Sequence, residues 1–398
     1  MIGQDETQRS GKTASATALG IIRTANDADW MNVLAQSVQH DFYHLPGYHR
    51  LAENRGEGTA FLFTYREGRY LIALPLLLRP VDEEDPAGRQ DATSVYGYCG
   101  PIASHERIPK QVIRNFHATL REELVDRRVV TVFSRLHPLI AQEELLLGLG
   151  ETCAVGRTVS VDLTLPLQDQ WARYGKKCRR VIDKAREAGV ICIHDRERSY
   201  RREWVEIYQE TMRRVNASSS YFLDEEYFEL LAHELGAVLQ LFVAIVDGSV
   251  AAAGLYTICD GIAQAHLGGM RREYMKLSPT RLLDDTARLW AHESGARVFH
   301  LGGGVGGQED SLFQYKAGFS DRRHQFATWR WILEAETYRE LCEHRQRLDE
   351  RQGLSAVAGD YFPAYRRPTE PKLSTPIRMF GDASGAFMPL TRGGGRGS

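Results

Sequence analysis

Three consecutive apolar runs joined by tight turns are the feature that most narrows the folds open to this chain. The runs cover residues 238–246, 250–259 and 262–268, and an Asp-Gly pair separates each from the next, at 247–248 and at 260–261. Asp-Gly between apolar runs favours a two-residue hairpin turn, because both central residues of that turn take positive φ angles. The sequence therefore predicts an antiparallel meander of three strands in the second half of the chain.

The elements around this meander form two similar series, one in each half of the chain. Each series contains a helix pair, an antiparallel meander, a helix, a strand and a further helix, as the apolar periodicity indicates. Repetition on this scale indicates a duplicated fold. We therefore predict a mixed α/β protein with domains at 21–156 and 157–352 between loose tails at 1–20 and 353–398. The same patterns predict a strand at 94–98, a helix at 140–149 and one long helix at 167–188.

Composition restricts the partners and the compartment. The 398 residues suffice for two or three domains. The chain has 50 basic and 52 acidic residues, so its net charge is close to zero. Any contact with nucleic acid must therefore come from a local basic patch. The six cysteines show no CxxC pair and no metal spacing. The N-terminus has no apolar signal-peptide core, and no apolar run approaches the roughly 20 residues that span a bilayer. We expect a cytoplasmic protein without a metal site.

A glycine-rich segment at 302–307 follows a predicted strand at 296–301. Glycine lets the backbone take conformations closed to other residues, or approach a ligand closely. Asp310 and Ser311 can cap the short helix that follows, and Lys316 lies late in that helix. A lysine at the mouth of a glycine-lined cleft can donate to a phosphate or to a developing oxyanion. The alternative is a flexible loop beside a surface lysine.

These residues carry a family resemblance. Leu301-Gly302-Gly303, Asp310-Ser311-Leu312 and the run Tyr-Lys-Ala-Gly-Phe at 315–319 together resemble the closing motif of the FemABX peptidyltransferases. The aromatic-glycine-proline turn at 96–101 and the basic helix with its following strand at 174–190 are similar to further family segments, and the match spans roughly residues 30–333. FemABX proteins are tRNA-dependent aminoacyltransferases built from two GNAT-like domains, so the resemblance implies two tandem GNAT-like domains with a cleft between them.

The resemblance also implies a reaction. An aminoacyl group would pass from aminoacyl-tRNA, the co-substrate, to an amine on a small peptide or a nucleotide-linked acceptor, such as a peptidoglycan precursor or a peptide natural product. No other cofactor is implied. Lys316 would lie near the reacting ester. Arg50 and Arg214 occupy positions at which family members contact the diphosphate of the acceptor. Arg50 stands where lysine is common, so the charge is kept and a planar fork is gained.

Further candidates come from the same segments. We assign Gly303, Phe319 and Tyr221 to the substrate-binding set, although an aromatic residue such as Tyr221 is more often part of a core. For the two arginines, the alternative to a phosphate grip is a surface ion pair. A basic ridge is formed by residues four apart on one predicted helix, and it either contacts the tRNA backbone or is a solvated face: Lys176, Arg180 and Lys184.

Two departures from the family pattern matter. Residues 134–136 read Ser-Arg-Leu, where some members carry an aspartate proposed as the catalytic base, so we assign no protein base. The long helical arm of some members is absent as well, since no extended coiled coil lies in the second domain.

Two other functions stay open. An acyl-CoA-dependent N-acyltransferase needs free backbone N–H groups ahead of a helix to bind pyrophosphate. The expected place, 269–281, has no glycine pattern after its first residue, and Pro279 removes one donor. A non-catalytic RNA-binding module would show a broad basic face with exposed aromatic platforms, which the near-neutral net charge disfavours.

Overall fold

The computed structural model describes residues 18–82, 85–218, 221–357 and 359–371. Most of the predicted N-terminal tail, 1–17, lies outside the described residues, as does 372–398 of the predicted C-terminal tail. In the described part of the chain, no helix combines the length and the apolar character needed to cross a membrane.

The first half alternates helices with an antiparallel meander. Its elements in chain order are β1 (Ala18–Arg23), α1 (Asp27–Ala35), α2 (Pro46–Asn54), β2 (Thr59–Glu67), β3 (Tyr70–Pro80), β4 (Gln90–Thr93), β5 (Ile102–Ala103), α3 (Lys110–Asp126), β6 (Val129–Arg135) and α4 (Glu143–Leu146).

The second half repeats this alternation and adds a C-terminal segment. Its elements are β7 (Glu151–Asp162), α5 (Leu167–Ala172), α6 (Lys176–Glu187), β8 (Ile191–Asp195), α7 (Arg201–Arg214), α8 (Glu225–Leu235), β9 (Leu239–Val246), β10 (Ser249–Cys259), β11 (Ile262–Met270), α9 (Pro279–Glu293), β12 (Val298–Gly302), α10 (Ser311–Ala317), β13 (Arg322–Ile332), α11 (Ala335–Arg351), β14 (Leu354–Ala356) and β15 (Thr369–Pro371).

One mixed sheet runs through both halves. Its strand order is β1-β2-β3-β4-β6-β13-β7-β12-β11-β10-β9-β8, with β5 paired to β3. Strand β13, from late in the chain, lies between β6 of the first half and β7, and pairs antiparallel with both. The predicted mixed α/β class is therefore confirmed, and the two halves share a sheet as well as a boundary.

The halves also share a hydrophobic core. Trp30 and Phe42 from the first half lie in the same buried cluster as Trp204 and Tyr208 from α7. Both tryptophans are almost fully buried, and large aromatic side chains contribute much of the burial energy of a core. This cluster fixes the first half against α7, and so positions the cleft described below.

Three predicted elements differ from the observed ones, each time at a glycine. The predicted strand at 94–98 is irregular, because Gly97 and Gly100 take positive φ angles of 113° and 86°. The predicted helix at 140–149 shortens to α4 ahead of Gly148. The predicted helix at 167–188 is two helices, because Gly175 is extended (ψ 142°) and donates its N–H to the Gly318 carbonyl at 2.9 Å.

The predicted loose C-terminal tail is wrong for the described residues 353–357 and 359–371. Strands β14 and β15 pair with each other in this segment. Between them Tyr365 is buried, and its hydroxyl lies 2.9 Å from the hydroxyl of Thr131 on β6. The segment is therefore attached to the first half, an anchorage that its proline and glycine content did not indicate.

Candidate active site

A wedge opens between two neighbouring parallel strands of the second half. Strands β11 and β12 pair from Ile262 with Val298 to Gln264 with His300, and no further. Beyond this point β11 continues to Met270, whereas β12 ends at Gly302, which turns the chain with φ 77°. Ligands of open α/β sheets commonly bind outside the carboxyl ends of the strands, where neighbouring strands diverge. This wedge is therefore the candidate site.

Lys316 extends into this wedge from α10. Asp310 caps that helix, accepting a hydrogen bond from the Phe313 N–H at 2.9 Å. The ammonium group of Lys316 donates to the Gly303 carbonyl at 2.7 Å. A Cβ added at Gly302 would lie 3.2 Å from this ammonium nitrogen and 3.7 Å from the Tyr98 hydroxyl. Glycine at 302 thus keeps the space that Lys316 and Tyr98 share.

Tyr98 brings the first half to the same place. Its hydroxyl is hydrogen-bonded to the backbone of Gly303, and its ring stands edge-on to His300 with centroids 5.4 Å apart. Burial raises the pKa of Tyr98 to about 12, so its phenol is neutral near pH 7. The lysine predicted from the glycine-rich motif therefore lies at a junction of both halves.

A carboxylate near the lysine partly offsets the effect of burial on its pKa. Asp284 on α9 accepts hydrogen bonds from the hydroxyls of Tyr256 and Tyr315, each at 2.7 Å. Burial lowers the pKa of Lys316 to about 8, while the nearby carboxylates of Asp284 and Asp310 act in the opposite direction. Lys316 is thus a mostly protonated donor at neutral pH, but one that loses its proton far more readily than a surface lysine.

We expect Asp284→Asn to lower the pKa of Lys316 below about 8, because the substitution removes a negative charge that favours the ammonium form. The pH dependence of Lys316 modification by an amine-reactive reagent, followed by peptide mass spectrometry, reports this value. Asp321→Asn is the matched control, since that carboxylate is exposed and pairs with Arg173. Equal midpoints for the two variants would contradict the role given to Asp284.

The two predicted arginines are already engaged. The guanidinium of Arg50 donates to Glu234 at 2.8 Å and to Asp27 at 2.5 Å, which is the ion-pair alternative. Arg214 donates to the Met270 carbonyl at 2.9 Å and lies 3.8 Å from Glu210. A diphosphate contact by either arginine stays a prediction, and for Arg50 it competes with two carboxylate partners.

The remaining substrate-binding candidates lie in different surroundings. Phe319, predicted to bind substrate, is 1% exposed inside the core and packs edge-on against Tyr174, so a contact of its side chain with substrate stays a prediction that this burial disfavours. Gly303 uses its backbone to hold Lys316 and Tyr98. Tyr221 is exposed, with its ring centroid 6.2 Å from that of Tyr96, so its contact with substrate stays a prediction.

The basic ridge lies on α6 near the wedge. Lys176, Arg180 and Lys184 are all solvent-exposed. The helix begins directly after Gly175, whose N–H is bonded to Gly318, two residues beyond Lys316. A polyanion that follows the exposed face of α6 would therefore approach the wedge. No group of three or more His, Cys, Asp or Glu side chains suited to a metal ion occurs among the described residues.

Several residues of the site were not predicted from the sequence. Asp284 and Tyr98 flank the lysine, and a buried polar network lies behind His300. Asp284 gives no sequence signal, because it is one acidic residue in an amphipathic helix. Tyr98 was noted only as part of a glycine-containing turn.

Comparison with known proteins finds a domain family in the second half of the chain. Residues 172–317 match the family model described as an acetyltransferase (GNAT) domain. This stretch includes the meander, the wedge and Lys316. The second half thus contains a stretch that matches a GNAT domain, and the candidate site lies inside that stretch.

Solved structures extend the likeness to 79% of the chain. The structure of FemX superposes with a TM-score of 0.62 at 13% identity, covering 79% of this chain and 98% of FemX. A conserved protein of unknown function from Bacteroides thetaiotaomicron VPI-5482 gives a TM-score of 0.50 at 12% identity, covering 79% of this chain and 99% of that one. No curated protein sequence matches the chain. The predicted FemABX-like tandem fold is confirmed at the level of the fold.

Proposed function

We propose that the protein transfers an aminoacyl group from aminoacyl-tRNA to an amine of a peptide or nucleotide-linked acceptor and forms an amide bond. The observation that carries the proposal is the position of Lys316. Its ammonium group lies in the wedge between β11 and β12, 2.7 Å from the Gly303 carbonyl, where both halves meet. The FemX fold supports a donor and acceptor of this kind.

The protein does not need to activate the acyl group, because an aminoacyl ester is already activated. Holding amine and ester together can supply roughly 7–11 kcal/mol of the barrier. The ammonium of Lys316 donates to the carbonyl oxygen as it becomes an oxyanion, and one such donor is worth about 3–4 kcal/mol. The lowered pKa also suits Lys316 for protonating the departing ribose oxygen.

The turn between β11 and α9 favours tRNA over acyl-CoA as the donor. Pyrophosphate binding there would need free backbone N–H groups. The N–H of Arg271 donates to Ala251 at 2.9 Å and that of Tyr274 donates to Arg271 at 3.2 Å. The N–H of Arg272 donates to the Glu210 carboxylate at 2.7 Å, a charge that would repel pyrophosphate. The exposed basic ridge on α6 agrees with a polyanionic donor.

The test offers both donors to the same protein. Wild type and Lys316→Ala are incubated with a pool of radiolabelled aminoacyl-tRNAs, and separately with acyl-CoAs, each with nucleotide-linked and free peptide amines. We expect wild type alone to move label from tRNA to an amine, with CoA thioesters unchanged. Lysine-dependent release of free CoA thiol would instead establish the acyl-CoA function, and no reaction with either donor would refute both.

A further inference from the structure

A buried carboxylate joins the two halves behind the wedge. One oxygen of Asp41 accepts the Phe42 N–H at 2.7 Å. Its other oxygen accepts the Nε2–H of His137 at 3.0 Å and the amide N–H of Gln264 at 2.6 Å. All three side chains of this network are buried, and none is more than 3% exposed: Asp41, His137 and Gln264. Asp41 and His137 belong to the first half and Gln264 to β11 of the second.

These contacts determine which ring nitrogen carries the proton in His137 and in His300. The Leu139 N–H donates to Nδ1 of His137 at 3.1 Å, so Nε2 of that ring carries its proton. Because the Gln264 amide nitrogen faces the carboxylate, its oxygen faces Nδ1 of His300 at 2.7 Å. Nδ1 of His300 must therefore be protonated, and the lone pair of the neutral ring lies on Nε2.

That lone pair has no partner. Nε2 of His300 is buried without a hydrogen bond among the described residues, in a side chain that is 0% exposed. An unsatisfied buried acceptor destabilises the ligand-free protein. Within the described part of the chain, Nε2 is unpartnered in His44, His49 and His266 as well. The Nδ1 atoms of His44 and His49 contact only backbone groups of the first half, and the His266 ring stands edge-on to Phe42. Of these four histidines, His300 is the one that a carboxylate backs through a side-chain amide.

The place of His300 on its strand puts this lone pair close to the wedge. His300 is the last residue of β12 paired with β11, two residues before Gly302. Burial lowers the pKa of His300 well below its usual range, and the charges of His137, Lys316 and His324 act in the same direction. Its neighbour across the β7 pairing is Ser160, whose hydroxyl lies 2.7 Å from Nε2 of His324. Burial and these neighbours thus keep the His300 ring neutral, and its Nε2 is left free to accept a hydrogen bond.

We propose that Nε2 of His300 is the proton acceptor of this site, held in the accepting tautomer by Asp41 through Gln264. The inference rests on the proposed function. The amine nitrogen forms a bond to the ester carbonyl carbon, and the carbon–oxygen bond to the ribose breaks. The proton lost by the amine passes to Nε2 through one water molecule, since Nε2 is covered. Lys316 protonates the ribose oxygen, and return of the proton from His300 to Lys316 resets the site.

In this arrangement Asp41 and Gln264 are positioning residues. The carboxylate orients the amide, and the amide selects the tautomer. Gln264→Met, which keeps the length of the side chain, removes the acceptor for Nδ1 of His300 and frees the ring to take either tautomer. The residues that supply the base thus come from both halves, which explains why no carboxylate is needed at 134–136.

Two readouts test the proposal. Nitrogen-15 NMR of histidine-labelled protein, with His300 assigned by loss of its signals in His300→Gln, is expected to show a protonated Nδ1 in wild type and a mixture in Gln264→Met. In turnover with the donor that reacts, His300→Gln is expected to lower kcat on the order of 100-fold or more, with KM for the donor little changed. The NMR measurement needs no reaction, so it remains decisive even if neither donor reacts.

His49→Gln is the matched control, since it alters a buried imidazole with the same unpartnered atom outside the wedge, and its kcat is expected to equal that of wild type. Circular dichroism and thermal unfolding establish that each variant is folded. A wild-type His300 protonated at Nε2 would overturn the proposal. So would a kcat for His300→Gln within about twofold of wild type, or an equal loss in His49→Gln.

Discussion

Lys316→Ala is expected to lower kcat for aminoacyl transfer by about 100- to 1,000-fold while binding of aminoacyl-tRNA changes little. The substitution removes the ammonium group that donates to the Gly303 carbonyl in the wedge, and loss of a single oxyanion donor costs a rate factor of this size. Because that donor acts mainly as charge develops, the loss falls on kcat. Single-turnover measurements with preformed enzyme–tRNA complex give the chemical rate directly.

Two further variants make this expectation specific. Lys110→Ala removes an exposed lysine at the start of α3 and is expected to leave kcat at the wild-type value. Lys316→Arg keeps the charge but replaces a compact ammonium by a wider planar group, in a space where Gly303 already lies 2.7 Å from the nitrogen. We therefore expect Arg to restore little of the rate. Full turnover by Lys316→Ala would exclude the lysine from catalysis.

Asp285→Ala is expected to give the largest loss of stability, about 3–5 kcal/mol in the free energy of unfolding. The Asp285 carboxylate accepts from Arg288 at 2.9 Å, from Arg186 at 2.7 Å and from the Tyr174 hydroxyl at 2.9 Å. Arg288 is only 3% exposed, so the substitution leaves a buried guanidinium without its counter-charge. Equilibrium unfolding in urea, followed by tryptophan fluorescence, measures the loss.

Asp183→Ala is the matched control for this stability measurement. Asp183 also contacts Arg186, at 3.3 Å, but both side chains are about half exposed there. An exposed pair contributes between zero and about 1 kcal/mol. Similar unfolding midpoints for the two variants would show that the buried ion pair on α9 contributes no more than a surface contact.

Elements that depend on local sequence were predicted well. The meander appears as β9, β10 and β11 with turns at the two Asp-Gly pairs, where Asp247 and Asp260 take positive φ angles. Turn geometry of this kind is decided within four residues, so it can be recognised without knowledge of the tertiary structure. The same holds for α10, which begins at the Asp310 cap.

Elements that depend on distant contacts were not predicted from the sequence. Asp41 meets its partners 96 and 223 residues away, and each is an ordinary polar residue in its own segment. Phe319 lies three residues after Lys316 in the sequence, yet its side chain packs into the core against Tyr174. Apolar periodicity cannot separate a core aromatic residue from one that lines a cleft, since both are apolar positions beside a buried surface.

The place of β13 in the sheet governs how the protein is made. Synthesis on the ribosome produces β6 and β7 long before residues 322–332 emerge, so the strand edges that pair with β13 keep unpaired N–H and C=O groups until the last long strand arrives. Strand exchange between nascent chains is the characteristic hazard of such an opening. The halves can therefore complete their fold only together, after translation has passed the strand that closes the gap.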